Sequence, residues 1–279
     1  MIIDLSHHNT VVNWSHVAQN IDGAIIRMGY RGYSAGTLAY DKKYKEYKKA
    51  CEDLNIPHSF YFFPCSISVK EAEEEADFII NELKNRTYPL AYPVFLDSEV
   101  AEVKKKSGRA DSLSVTERTK YLKIICDKLQ DNGIPAGIYA SKSWLYNNLD
   151  MGELPYTIWV AEWSSKCTYR GSYSFWQYTD KGQIVGINGY VDFSERCEIA
   201  ADSCPYPAPI LTKKKGSTGE AVKWIQYKLN KSGAALRIDG IYGELTESAV
   251  LTFQKKVFED KKEWDGIVGK KTRNKLKEY

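Results

Sequence analysis

The sequence predicts an α/β chain: an irregular β/α barrel followed by a small all-α module of three helices. Three observations carry that expectation. Over residues 1 to about 200, short apolar runs alternate with amphipathic helical stretches, which argues for a parallel sheet, doubly wound or closed into a barrel. After Tyr139 the helical patterns thin out and strand candidates follow one another through loops, which fits an irregular barrel better than a regular eightfold one. Past a proline cluster, an eight-residue motif occurs twice, 26 residues apart.

The candidate strands, in order, are Ile2–Leu5, Gly23–Met28, His58–Phe63, Val94–Leu96, Ala136–Tyr139, Thr157–Ala161, Ser174–Tyr178 and Tyr190–Phe193. Helical patterns fill Lys42–Leu54, Val69–Leu83 and Thr116–Asp131. Ser68-Val69-Lys70-Glu71 and Ser114-Val115-Thr116-Glu117 read as capping boxes, with the serine oxygen and the glutamate satisfying orphan N–H groups at the helix start. Cys204-Pro205-Tyr206-Pro207-Ala208-Pro209 carries three prolines in five positions and reads as a short extended spacer. The expected division is therefore a barrel over 1–203, a linker over 204–209 and a tail module over 210–279. In the tail, Asp239-Gly240-Ile241-Tyr242-Gly243-Glu244-Leu245-Thr246 recurs as Asp265-Gly266-Ile267-Val268-Gly269-Lys270-Lys271-Thr272. Each copy is a tight glycine turn with Thr placed to open a helix. Helical stripes ending in glutamine recur as well, Val222-x-x-Ile225-Gln226 and Val250-x-x-Phe253-Gln254.

The chemistry is densest at Pro93-Val94-Phe95-Leu96-Asp97-Ser98-Glu99, an apolar strand ending in two acids. Residues i and i+2 of a strand share a face, which puts Asp97 and Glu99 side by side, about 6 to 7 Å apart. Two acids that close cannot ionise independently, and one is pushed toward keeping its proton. That is what a general acid beside a stabilising carboxylate requires in glycoside hydrolysis. The spacing lies between the separations of retaining and inverting enzymes, so the stereochemical outcome stays open, and a nucleophile supplied by the substrate's own 2-acetamido group fits it too. Reactive groups of parallel barrels gather where strands end. Asp4 ends the first strand and Asp192 sits in the last, so three strands deliver acids to one mouth. Tyr61, Tyr139, Trp163, Trp176 and Gln177 fall at comparable places on or after other strands.

Composition narrows the classes of function. The net charge of +3 is uneven: Ile210 to Tyr279 holds 16 Lys+Arg against 9 Asp+Glu, leaving the rest of the chain acidic. A basic tail on an acidic body points to a polyanionic partner for the tail. The 13% aromatic content suits sugar faces as well as cores. The six cysteines show no metal or C-x-x-C spacing and read as free thiols of a reducing compartment. Ile2-Ile3-Asp4 reads as the first strand, leaving no room for a signal peptide, and no apolar run approaches the ~20 residues of a membrane span. His7-His8 has no second cluster to complete a metal site, and no phosphate loop occurs, so no metal, cofactor, nucleic acid or membrane insertion is expected. The oligomeric state is not legible.

Asp4-x-Ser6, Leu96-Asp97-x-Glu99, Gly137-Ile138-Tyr139, Trp159-Val160-Ala161 and Trp176-Gln177-Tyr178 followed by Asp192 resemble glycoside hydrolase family 25, the bacterial and phage N-acetylmuramidases. The resemblance covers residues 1 to about 200 and implies cleavage of the β-1,4 bond from N-acetylmuramic acid to N-acetylglucosamine. It makes Glu99 the acid/base and Asp97, Asp4 and Asp192 the surrounding carboxylates, with Ser6, Tyr61, Tyr139, Trp163, Trp176 and Gln177 at the sugar subsites. Tyr61-Phe62-Phe63 and Asn9 depart from common family patterns and bear on subsite detail. Residues 210 to 279, through Gly216-Ser217-x-Gly219, the glutamine stripes and the two turns, resemble the peptidoglycan-binding type 1 domain. Together these imply an endolysin-like lysozyme that is made in a host cytoplasm without a signal peptide, acts at the bacterial wall after release and takes peptidoglycan as partner. Competing readings are a catalytically inactive wall-binding protein and a hydrolase of another β-1,4 glycan such as chitin.

Overall fold

The structure is a computed structural model that describes residues 1–101, 107–197, 204, 206, 208, 209, 211–277 and 279. It divides into two compact units: one made of Met1–Tyr169 and Tyr173–Glu198, the other taking in Ile199–Tyr279.

The first unit runs β1 (Ile2–Leu5), β2 (Thr10–Val11), α1 (Trp14–Ala18), β3 (Gly23–Arg31), β4 (Leu38–Tyr40), α2 (Tyr44–Asp53), β5 (His58–Phe63), α3 (Val69–Leu83), β6 (Val94–Asp97), α4 (Val115–Asp131), β7 (Ala136–Ser141), α5 (Lys142–Asn147), β8 (Thr157–Ala161), β9 (Phe175–Gly182), β10 (Ile187–Asn188) and β11 (Val191–Arg196). Eight strands close into a barrel in the order β1, β3, β5, β6, β7, β8, β9, β11 and back to β1, with β4 added to the edge of β3. The pairings from β1 through β9 are parallel, whereas β11 runs antiparallel to both β9 and β1. This inverted closing strand is where the barrel departs from the regular form, and it follows from the missing helix between β9 and β11: a parallel return needs a long crossover, an antiparallel one only a short loop.

Period-two alternation builds two layers from the same strands. Outward residues such as Ile3, Leu5, Ala24, Ile26, Phe60, Phe62, Leu96, Ile138 and Val160 pack with the helices into the main core. Inward residues Ile2, Ile25, Phe95, Trp159 and Phe175 fill the barrel itself. A Cβ on Gly137 would lie 2.6 Å from the Phe95 ring and 2.7 Å from the Thr157 carbonyl, so this inward position on β7 must be glycine for Phe95 to fit. The capping box at Ser114 is complete. At Ser68 the serine accepts from the Glu71 N–H, but the Glu71 carboxylate instead accepts from the Ile67 N–H at 2.8 Å and from Arg109, so the box is half formed.

The second unit contains α6 (Glu220–Lys231), α7 (Glu244–Val257) and α8 (Lys270–Leu276), the three expected helices, with a 3-10 turn at Lys261–Glu263. Its core joins Val222, Trp224, Ile225, Leu229, Tyr242, Val250, Phe253, Val268 and Leu276. The repeated motif has a structural explanation here. The Gln226 amide donates to Asp239 Oδ1, the Ile241 carbonyl and Thr246 Oγ1 at 2.8, 3.1 and 3.2 Å, and its oxygen accepts from the Gly240 N–H at 2.9 Å. Gln254 repeats every contact on Asp265, Ile267, Thr272 and Gly266. The threonines therefore do not cap their helices. Gly243 and Gly269 occupy those positions, and the hydroxyls turn inward to the glutamines. Gly240 and Gly266 sit at φ 74° and 68°, the left-handed conformation that favours glycine in both copies. Of the expected 204–209 spacer, 205 and 207 lie outside the described residues, as do 203 and 210 at its borders. Cys204 and Tyr206 are buried in the second core rather than extended in solvent, because the tyrosine ring has apolar surface to cover.

Candidate active site

The inward parity that fills the barrel with hydrocarbon at one end brings polar groups to the other. One step further along the same strands from Ile2, Ile25 and Phe95 stand Asp4, Arg27 and Asp97. Asp4 lies opposite Asp192 across the β1–β11 pair, Arg27 is in register with Tyr61, and Asp97 with Tyr139. These residues and Glu99 line one cavity of about 430 Å³ at the end of the barrel where β6 terminates. β6 ends at Asp97, so Glu99 lies just beyond the strand. The Ser98 N–H still donates to the Tyr139 carbonyl at 2.9 Å and carries the pairing one residue further.

Nine of the ten residues expected from sequence line this cavity: Glu99, Asp97, Asp4, Asp192, Ser6, Tyr61, Tyr139, Trp163 and Gln177. Gln177 ties several of them together. Its amide donates to Asp4 Oδ2 at 2.9 Å, and its oxygen accepts from Tyr139 Oη at 2.9 Å and Trp163 Nε1 at 3.0 Å. Trp176 is the exception. Next to inward Gln177 on β9 it must point outward, where it packs on the main core and donates to the Glu162 carbonyl at 2.8 Å. Arg27 and Tyr33 line the cavity without having been expected. A cation inside the apolar run Ala24-Ile25-Ile26-Arg27-Met28 was the available signal for the first, since such a residue is seldom buried without a partner.

The electrostatics are crowded. Burial, reinforced by Glu99 and Asp4, holds the Asp97 carboxyl well above its usual range, against the pull of Arg27. Asp97 Oδ1 is buried with no hydrogen-bond partner among the described residues. Burial and then Asp192 hold Asp4 up in the same way, with the Gln177 amide opposing. Glu99 is open to solvent yet surrounded by the walls of the concave mouth, and that crowding, followed by Asp192, pushes its carboxyl up. Asp192 is pushed up to about 6 by burial and Asp180. All four carboxyls are thus held above the usual carboxylate range, with burial the leading cause at each.

A barrel that gathers acids from several strands at one mouth is an architecture for glycoside hydrolysis. The chain belongs to glycosyl hydrolases family 25, whose family model matches residues 3–187. A second family, described as "Putative peptidoglycan binding domain", matches residues 218–276. The autolytic lysozyme of Clostridium acetobutylicum is 24% identical over 234 residues, which is 82% of this chain and 66% of that protein. The modular autolysin LytC of Streptococcus pneumoniae, solved with a synthetic peptidoglycan ligand, is 30% identical with a TM-score of 0.61 over 69% of this chain and 45% of its own. The catalytic domain of endolysin ply40 from bacteriophage P40 of Listeria monocytogenes shares the fold, at 22% identity and a TM-score of 0.56 over 71% of this chain and 92% of its own. The chain thus spans just under two thirds of the lysozyme and under half of LytC.

Proposed function

We propose that the first unit is an N-acetylmuramidase, cleaving the β-1,4 bond between N-acetylmuramic acid and N-acetylglucosamine, and that the second unit holds it on bacterial peptidoglycan, the division of labour of an endolysin. The observation that carries the reading is the convergence of Asp4, Asp97, Glu99 and Asp192 in one cavity of a chain that also matches a peptidoglycan-binding family. Glu99, at the open rim with a raised carboxyl, is the general acid that protonates the leaving oxygen. Asp97, Asp4 and Asp192 surround it as the carboxyls that tune it, and the negative charge this coupled cluster shares stabilises an oxocarbenium-like transition state. Tyr61, Tyr139 and solvent-facing Trp163 offer surfaces to sugar rings, and Ser6 and Gln177 offer hydrogen bonds. The catalytic domain ends near residue 198 and the binding module takes in Cys204 and Tyr206, and the basic tail favours walls rich in anionic polymer. The test is product analysis on purified peptidoglycan and on chitin. New reducing ends at muramic acid, with little release from chitin, support the reading; equal release from both overturns the substrate assignment.

A further inference from the structure

Arg27 is buried on β3 and is held from behind. Its Nε donates to Asp41 Oδ2 at 2.8 Å, and Nη2 lies 2.7 Å from the same oxygen. Asp41 is itself fixed: the Lys43 N–H donates to Oδ1 at 2.9 Å, and His7 places its Nδ1 2.8 Å and its N–H 3.3 Å from Oδ2. Arg27 Nη2 also meets His7 Nδ1. A guanidinium anchored on this side cannot follow a moving charge. It presents a fixed positive field to the cavity that Asp4, Asp97, Glu99 and Asp192 line. Besides these acids, the titratable groups around it are His7 and His8 after β1, Tyr30 and Tyr33 at the end of β3, and Tyr61 on β5. Burial pushes the Tyr33 and Tyr61 hydroxyls up, and Asp41 is the braced counter-charge.

We propose that Arg27 is a positioning residue for the carboxyl cluster: its anchored charge sets the pH range in which the mouth is active, and Asp41 sets how much of that charge the cluster feels. The geometry explains why a second acid stands behind the arginine. An unscreened guanidinium would strip the proton from the general acid; an absent one would leave the cluster too protonated to stabilise a cation. Arg27 pulls both Asp97 and Glu99 downward, consistent with that balance. The inference rests on the muramidase reading of this mouth.

The test is the pH–rate profile on soluble peptidoglycan fragments for wild type, Arg27→Met, Arg27→Lys and Asp41→Asn. Arg27→Met removes a cation from beside the acids, so both limbs move to higher pH, by about one unit. Asp41→Asn uncovers the same cation, so both limbs move to lower pH. Arg27→Lys keeps the charge and restores a profile close to wild type. A purely structural role would lower kcat or thermal stability in all three without displacing the limbs. Limbs that coincide with wild type in Arg27→Met and Asp41→Asn, or that move the same way in both, overturn the inference. If Arg27→Met does not fold, the direction of the Asp41→Asn shift decides alone: down supports the inference, unchanged or up sinks it. A wild-type protein that releases no reducing ends defeats the muramidase reading and this inference together; an active wild type with unmoved limbs defeats only the inference.

Discussion

In the barrel mouth Asp97 Oδ1 is buried with no hydrogen-bond partner among the described residues, and burial, with repulsion from neighbouring acids added, raises all four carboxyls. In the second unit Gln226 and Gln254 are equally buried, yet each makes four hydrogen bonds that close an Asp-Gly turn. Both constellations stand out in the sequence, and they differ in what is left over. The mouth keeps unspent hydrogen-bonding capacity and like charges in close quarters, at a cost in stability that a structural motif has no reason to carry. The tail motifs consume themselves in holding their own turns. Conspicuous residues whose bonds are all satisfied internally argue for architecture, and whatever the second unit binds must be recognised by other groups.

The largest effect expected from this contrast is at Glu99. Glu99→Gln preserves shape but removes the transferable proton, so hydrolysis of peptidoglycan falls by ~10²–10⁴-fold. Thermal stability should hold or rise, because a crowded carboxylate has been neutralised. A variant within a few-fold of wild-type turnover would move the acid role elsewhere in the cluster. Gln226→Ala should do the reverse. It leaves the Gly240 N–H and its partners unmatched in a small core and costs about 2–4 kcal/mol of stability in the second unit. Turnover of soluble fragments should stay unchanged. Gln254→Ala is the twin measurement, and urea unfolding that leaves either variant as stable as wild type would show that the locks are dispensable.

How much of this was legible depends on the period of each element. All eight barrel strands were marked by their apolar runs, and β1, β5 and β8 to the residue. The short strands β2, β4 and β10 were not, since two or three residues carry no period to read. In the mouth, the acids were legible because they lie near the ends of apolar strands or just past them. Trp176 was misplaced because it was grouped with Gln177 as a motif, although adjacent strand residues face opposite sides. Arg27 was overlooked because it hides inside an apolar run, and its partner Asp41 follows β4, a strand too short to read, which the β3–β4 pairing folds back beside Arg27. The role of the tail threonines was misread because a glycine turn followed by Thr has the same local pattern whether the hydroxyl caps a helix or meets a glutamine from another one.

A mid-sized effect is expected at Asp192. Its carboxyl is raised to about 6, so the folded state binds a proton that the unfolded state has already released. Stability is therefore lost as pH rises from the unfolded value near 3.9 through about 6, and the loss is complete above that. Asp192→Asn should stabilise the first unit at pH 7 by on the order of 1–2 kcal/mol once solvent screening at this half-buried site is allowed for. The gain should vanish near pH 3, where both side chains are neutral. Asp192 also raises Glu99, so the basic limb of the pH–rate profile should move down in this variant. A basic limb that stays in place would mean the two acids do not sense each other.

The smallest effect sharpens the comparison most, because its sign is opposite. Asp239 accepts from the Gln226 amide and from the Ile241 N–H, and those bonds hold its carboxyl below the usual range. A lowered acid stabilises the folded state above its unfolded pKa of about 3.9, and that contribution fades as pH falls through the folded value. Asp239→Asn keeps the shape but exchanges a charge-assisted acceptor for a neutral one. At this exposed turn the loss should be only a few tenths of a kcal/mol at pH 7 and nothing at pH 2. Measured by thermal unfolding across that range, the two aspartate variants should therefore diverge with pH, Asp192→Asn gaining on wild type as pH rises and Asp239→Asn falling behind it. Parallel curves would remove the distinction between an acid strained in the mouth and an acid settled in a turn.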